Sequence, residues 1–143
     1  EGFGHEVKRR IMIGTYVLSS DVYDKYYKKA QQIRTLVARD FDRVFEEFDA
    51  LITPTSPEVA WPLGERHDDP IRTYAADVCT IPVNLAGLPA VSVPCGFAHG
   101  LPVGLQLVGK RFEDSRLLQF AWAYQQVTEF HRAQPPLNTE GGR

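Results

Sequence analysis

Two charged residues, Arg10 and Asp77, carry the chemistry for which this sequence can be read. Arg10 stands in the run Lys8-Arg9-Arg10, beside an apolar stripe of Val7, Ile11, Gly14 and Leu18 at helical spacing. At about 100° per residue, Arg9 points away from that stripe and Arg10 falls at its edge. Gly14, one turn on, leaves space beside Arg10. The side chain either reaches into a pocket there or covers core with its aliphatic stem and pairs at the rim. Asp77 lies off the centre of a second stripe, formed by Ile71, Tyr74, Ala75 and Val78. An arginine and an aspartate converging on one pocket suit a zwitterion. The guanidinium forks an α-carboxylate, and the carboxylate accepts from an α-ammonium. The pattern itself does not show that the two converge.

Other chemistries fail on inspection. Gly104 to Lys110 satisfies most of a phosphate-loop pattern, then places Arg111 where a magnesium-binding Ser or Thr belongs. No Gly-x-Ser-x-Gly elbow is present. Ser92 sits between two valines with no adjacent base, and reads as a buried hydroxyl bonded to backbone. His5, His67, His99 and His131 match no metal spacing with Cys79 and Cys95. Asp68, Asp69 and Asp77 are close enough for a carboxylate pair, although Asp69 is better explained as a helix cap. The cluster Tyr23, Tyr26, Tyr27, Lys28 and Lys29 reads as a solvated basic turn beside core aromatics.

The elements that must position Arg10 and Asp77 follow from periodicity. A helix is expected over 5–18. A long one is expected over 21–48, capped by Ser20, with Asp21 and Asp24 near its positive end. Ala50 to Thr53 reads as a buried strand stopped by Pro54, leading into the loop Pro54-Thr55-Ser56-Pro57. Asp69-Pro70 starts another helix. The segment TIPVNLAGLPAVSVPCG, Thr80 to Gly96, carries no charge and three prolines. Pro82 and Pro89 are expected to bracket a short helical turn in which Asn84 bonds backbone, and Pro94 to end a core strand. Val91 and Val93 alternate about Ser92. Val103, Leu105 and Leu107 alternate with Gly104 and Gln106. The short loop between these runs holds Gly100, so they should pair antiparallel. A last helix is expected over 114–131, capped by Asp114 or Ser115. Helices alternating with strands make the class α/β, with helices packed on a mixed sheet.

Composition sets bounds on function. The 143 residues suit one domain, with 43% hydrophobic and 24% charged residues. A net charge of −2 gives no global attraction to nucleic acid or anionic membrane. Two cysteines are too few for a disulfide scaffold, so reduced thiols in a cytosolic protein are expected. No apolar run approaches the about 18 residues of a membrane span, and no secretory signal opens the chain. Glu1-Gly2-Phe3-Gly4 lacks an initiator Met, which suits processing, missing residues or a piece of something longer. The end, 132–143, reads as a loose tail.

A resemblance sharpens this reading. Glu6 to Ser20 (EVKRRIMIGTYVLSS), Tyr26 to Gln31, Arg34 to Leu36, Asp49 to Pro57, Asp68 to Pro70, Thr80 to Pro89 and Gly100 to Gly109 together resemble the amidase signature family. Within it they are similar to the C-terminal part of the glutaminase component of tRNA-dependent amidotransferases. The likeness runs through residues 2–131. It implies that residues 1–131 are the C-terminal portion of the amidase signature domain, in a cytoplasmic enzyme of translation. There glutamine yields ammonia that converts Glu-tRNA(Gln), and in some organisms Asp-tRNA(Asn), to the amide. It implies that Arg10 holds the glutamine α-carboxylate and Asp77 the α-ammonium. The family's Ser–cis-Ser–Lys triad finds no match in this sequence, and its residues would lie upstream of Glu1. The chain alone is therefore expected to be inactive and to hold no metal or cofactor. The implied partners are the amidotransferase's B and C subunits. ATP and magnesium would serve the B subunit, which also takes the tRNA. An isolated chain should expose apolar surface and self-associate. The competing readings are a fragment of another amidase acting on a small neutral amide, which would not need both charges, and an interaction domain without chemistry.

Overall fold

The computed structural model describes residues 2–65 and 70–135. Asp68 and Asp69, and with them the candidate carboxylate pair and the expected helix cap, lie outside the described residues, as do His67 and 136–143. Helix α1 runs His5–Val17 behind an extended Gly4 that gives no side-chain cap. None of its residues is buried, so the stripe of Val7, Ile11 and Leu18 stays exposed. The expected single helix over 21–48 is instead a turn, a π-helical segment Asp24–Lys28, and then α2, Lys29–Glu47. The Lys28 N–H reaches back five residues to the Tyr23 carbonyl, at 3.0 Å. The Tyr23 and Tyr27 rings stack across that wider turn, centroids 4.9 Å apart. Ser20 caps nothing; its hydroxyl bonds the Asp21 carboxylate at 3.2 Å.

Strands β1 (Ala50–Pro54), β2 (Ala90–Ala98) and β3 (Leu101–Gly109) form a sheet in the order β1-β3-β2. Leu51 faces Val108 across β1 and β3, and Val91 faces Leu107 across β2 and β3. Both pairings are antiparallel, so the described strands contain no parallel pair of the kind a mixed sheet needs. The β2–β3 hairpin closes through His99 and Gly100, at φ 53° and 76°. Two positive-φ residues in a two-residue loop match the twist of the flanking strands. Pro94 does not end its strand. β2 continues past it through an irregularity between Pro94 and Gly96, which an edge strand tolerates.

Helices cover both faces of the sheet. Helix α5, Asp114–Gln126, packs Leu117 and Ala121 on Val93 and Leu107. On the other face, Phe45 of α2 and Val83 of α4 (Ile81–Ala86) enclose Val108. Leu107 and Val108, adjacent in β3, thus point into different cores. Helix α3, Pro70–Ala75, and a run of turns precede α4. Gly87 ends α4 at φ 69°, a left-handed conformation suited to glycine. Asn84 bonds backbone as expected, Nδ2 donating to Thr80 O at 2.9 Å. The cap of α5 falls on Glu113, without a side-chain bond, and not on Asp114 or Ser115. The helix expected to 131 stops at Gln126, and Phe130–Arg132 forms a separate 3-10 turn.

Candidate substrate site

Arg10 projects from α1 with its side chain 59% exposed. Its Nε donates to Glu6 Oε1 at 2.8 Å, a pairing that the four-residue spacing of a helix favours. Arg9 Nη1 reaches the other oxygen of Glu6 at 3.1 Å. Tyr74 of α3 completes the cluster. Its hydroxyl donates to Glu6 Oε1 at 2.7 Å, and the Arg10 guanidinium lies 4.4 Å from its ring centroid. The bonds from Arg10 and then Tyr74 stabilise the ionised carboxylate, so Glu6 titrates below the ordinary glutamate value. The same bond from the Glu6 side raises Arg10 above its ordinary value.

Asp77 follows Tyr74 by one turn, its N–H donating to Tyr74 O at 3.1 Å. Its own carbonyl accepts from the N–H groups of Thr80 at 3.0 Å and Ile81 at 2.9 Å, and from the Thr80 hydroxyl at 3.1 Å. The residue is exposed, and it lines a 560 Å³ cleft with Thr55, Ser56, Trp61, Ala76 and Thr80. Arg10 is not among the described residues of that cleft. The structure brings Arg10 against Tyr74, on the helix that leads into Asp77, and not against the Asp77 carboxylate.

Two further bonds fasten the segment that carries Asp77. Gln106 of β3 is only 4% exposed, and its Nε2 donates to Thr53 Oγ1 at 2.8 Å and to Cys79 O at 3.0 Å. Ser56 Oγ makes a longer bond to Ala76 O, at 3.4 Å. The loop holding Ser56 is itself pinned to the sheet. Thr55 Oγ1 and Ser92 Oγ lie 2.6 Å apart, and Thr55 N donates to Gly104 O at 3.0 Å. Ser92 is accordingly neither buried nor bonded to backbone as expected. Its exposed hydroxyl meets another side chain across the sheet surface. Glu6, Tyr74 and Gln106 were not singled out by sequence. For Glu6 the spacing to Arg10 was a usable signal, whereas Tyr74 and Gln106 give none before the fold is known.

The amidase family model matches residues 1–118. The chain belongs to the amidase family. It is 68% identical over its whole length to the A subunit of glutamyl-tRNA(Gln) amidotransferase from Symbiobacterium thermophilum, of which it spans 29%. Among solved structures, the A subunit of glutamyl-tRNA(Gln) amidotransferase from Thermotoga maritima superposes with a TM-score of 0.71 at 47% identity. That match covers 90% of this chain and 28% of the other. Allophanate hydrolase of Kluyveromyces lactis superposes with a TM-score of 0.65 at 31% identity, over 85% of this chain and 19% of the other. The helices and sheet described above are thus an amidase-family arrangement of the α/β class.

Other candidate chemistries of this amidase segment resolve structurally. Gly104 to Gly109 lies in β3, so the phosphate-loop pattern is a strand, and Lys110 Nζ sits 3.7 Å from Asp49 Oδ1. Among the described residues, no group of three His, Cys, Asp or Glu is placed to hold a metal ion. Cys79 and Cys95 are both unpaired and half-buried. No described helix is long and apolar enough to cross a membrane.

Proposed function

We propose that this chain is the C-terminal, substrate-recognising part of the glutaminase subunit of a tRNA-dependent amidotransferase. That enzyme converts Glu-tRNA(Gln) to Gln-tRNA(Gln) with ammonia released from glutamine. The observation that carries the reading is the 68% identity, along all 143 residues, to a protein of that name. Arg10 binds the α-carboxylate of glutamine and Asp77 its α-ammonium. In the geometry described, Arg10 is held at α3 by Glu6 and Tyr74, and Asp77 faces an open cleft one turn further on. A substrate carboxylate would replace Glu6 on part of the guanidinium fork, exchanging one charge-assisted bond for another.

The nucleophile and its partners are supplied from outside this sequence, in the parent enzyme's Ser–cis-Ser–Lys triad. The amidotransferase's B and C subunits are the protein partners, with tRNA, ATP and magnesium at the B subunit, in the cytoplasm. A fragment of an amidase for small neutral amides is the lesser reading, because such a substrate would not need both charges.

In the complete amidotransferase, Arg10→Ala should raise the glutamine KM by roughly 30- to 150-fold, from the loss of about 2–3 kcal/mol in a charge-assisted bidentate contact. An unchanged KM removes the assignment. The isolated chain should release no ammonia from glutamine, and measurable turnover would place a nucleophile within it.

A further inference from the structure

We propose that Gln106 is a positioning residue for substrate, fixing the turn that carries Asp77 against the sheet. The proposal rests on the assignment of Asp77 to the substrate α-ammonium. Gln106 is the buried polar side chain among the described residues, in a strand whose neighbours Leu105 and Leu107 belong to the α5 core. Its face of β3 is the α4 face, which Val108 shares. A primary amide has two donor hydrogens on one nitrogen, and both are used. One goes to the Thr53 hydroxyl on the paired strand and one to the Cys79 carbonyl, two residues after Asp77.

The turn from Ala76 to Ile81 is internally rigid, since the Asp77 carbonyl accepts three bonds from Thr80 and Ile81. Such a turn moves as a unit. Its placement relative to the sheet depends on its external ties, of which Gln106 to Cys79, at 3.0 Å, is shorter than Ser56 to Ala76, at 3.4 Å. Removing the Gln106 donor takes that bond from the half-buried Cys79 carbonyl, which frees the turn and the Asp77 carboxylate with it to shift against the sheet. A bound ammonium tolerates little displacement of its acceptor, so the effect belongs to ground-state binding.

The test is Gln106→Met, of similar length and without a donor, in the amidotransferase assembly containing this chain. Glutamine KM is expected to rise about tenfold, the equivalent of one lost bond to a charged partner, with kcat within about twofold. Amidation supplied directly with ammonia should be unchanged. Leu117→Val, which trims the core on the opposite face of the sheet, should lower the melting temperature without moving KM. Equal KM shifts in these two variants, or none in Gln106→Met, overturn the proposal. Should Gln106→Met not assemble, Gln106→Asn decides, since it keeps a primary amide and shortens its reach to the Cys79 carbonyl: a KM rise of a few fold supports the proposal and an unchanged KM overturns it. Hydrogen exchange at the Thr80 and Ile81 amides should accelerate in Gln106→Met. That readout stands apart from activity, so a wild-type assembly that does not use glutamine refutes the functional reading and leaves the tie itself to be judged by exchange.

Discussion

Glu6 is the residue on which the geometry of Arg10 turns. It accepts from Arg10 and Tyr74 at one oxygen and pairs with Arg9 at the other. Glu6, Arg9 and Arg10 are well exposed, so their ion pairs contribute little to global stability. Their effect is local orientation. The folded carboxylate titrates below its ordinary value of 4.5, chiefly through Arg10 and then Tyr74. The linkage sign follows: the stabilisation of the α1–α3 contact is present above the ordinary value and is lost as pH falls through the lower folded value. An NMR titration of Glu6 should give a midpoint below 4.5, moving upward in Tyr74→Phe, which removes one donor. A midpoint that ignores Tyr74→Phe would show that the hydroxyl bond does not form in solution.

At the scale of elements, the junction of β1, β2 and β3 depends on one missing side chain. A Cβ at Gly104 would lie 2.7 Å from both Ser92 Oγ and Thr55 Oγ1. Glycine is what lets the Thr55–Ser92 bond form directly above the strand. Gly104→Ala should destabilise by about 1–3 kcal/mol through overpacking, read as a lower melting temperature, and the loss should shrink when Thr55 and Ser92 are both alanine. An undiminished melting temperature in Gly104→Ala would mean that the loop from Pro54 to Ala60 moves away at no cost. The π-helical turn is the contrasting case. Its aromatic and basic residues keep an ordinary helical period, so the pattern reads as one long helix. The wider turn becomes visible only through the Lys28 to Tyr23 bond and the ring stack.

For the whole molecule, the decisive property is unburied apolar surface. Ile11 and Met12 of α1 are 52% and 72% exposed, and Ile71, Leu63 and Phe112 more so. The chain spans 29% of the relative it matches over its full length, and 28% of its counterpart of known structure. Exposed apolar area of this extent favours association. The isolated chain should therefore bind a hydrophobic dye and show concentration-dependent size in sedimentation, and a monodisperse monomer without dye binding would contradict this. The same exposure explains why the helical stripe of α1 is legible and its burial is not. Periodicity reports which face is apolar, and says nothing of whether the covering partner lies within the same 143 residues.

Local chemistry determined much by itself. Alternating valines and leucines, with Gly100 between them, specified the β2–β3 hairpin, because a two-residue loop with positive φ admits few other outcomes. Pro82 marks the start of α4 as expected, whereas the helix ends at Gly87 and not at Pro89, because Gly87 takes the left-handed angles that stop a helix. The motif around Arg10 and the Thr80–Gly109 segment were enough to point to the family. The tertiary structure alone decided how these parts meet. It placed Tyr74 against Arg10 and, across 68 residues of sequence separation, against Glu6, and it buried Gln106 on a face that alternation alone would leave open. The reason is physical. A side chain's hydrogen-bond partners are set by which elements pack together, and that packing is a property of the assembled core, with helices on both faces of the sheet.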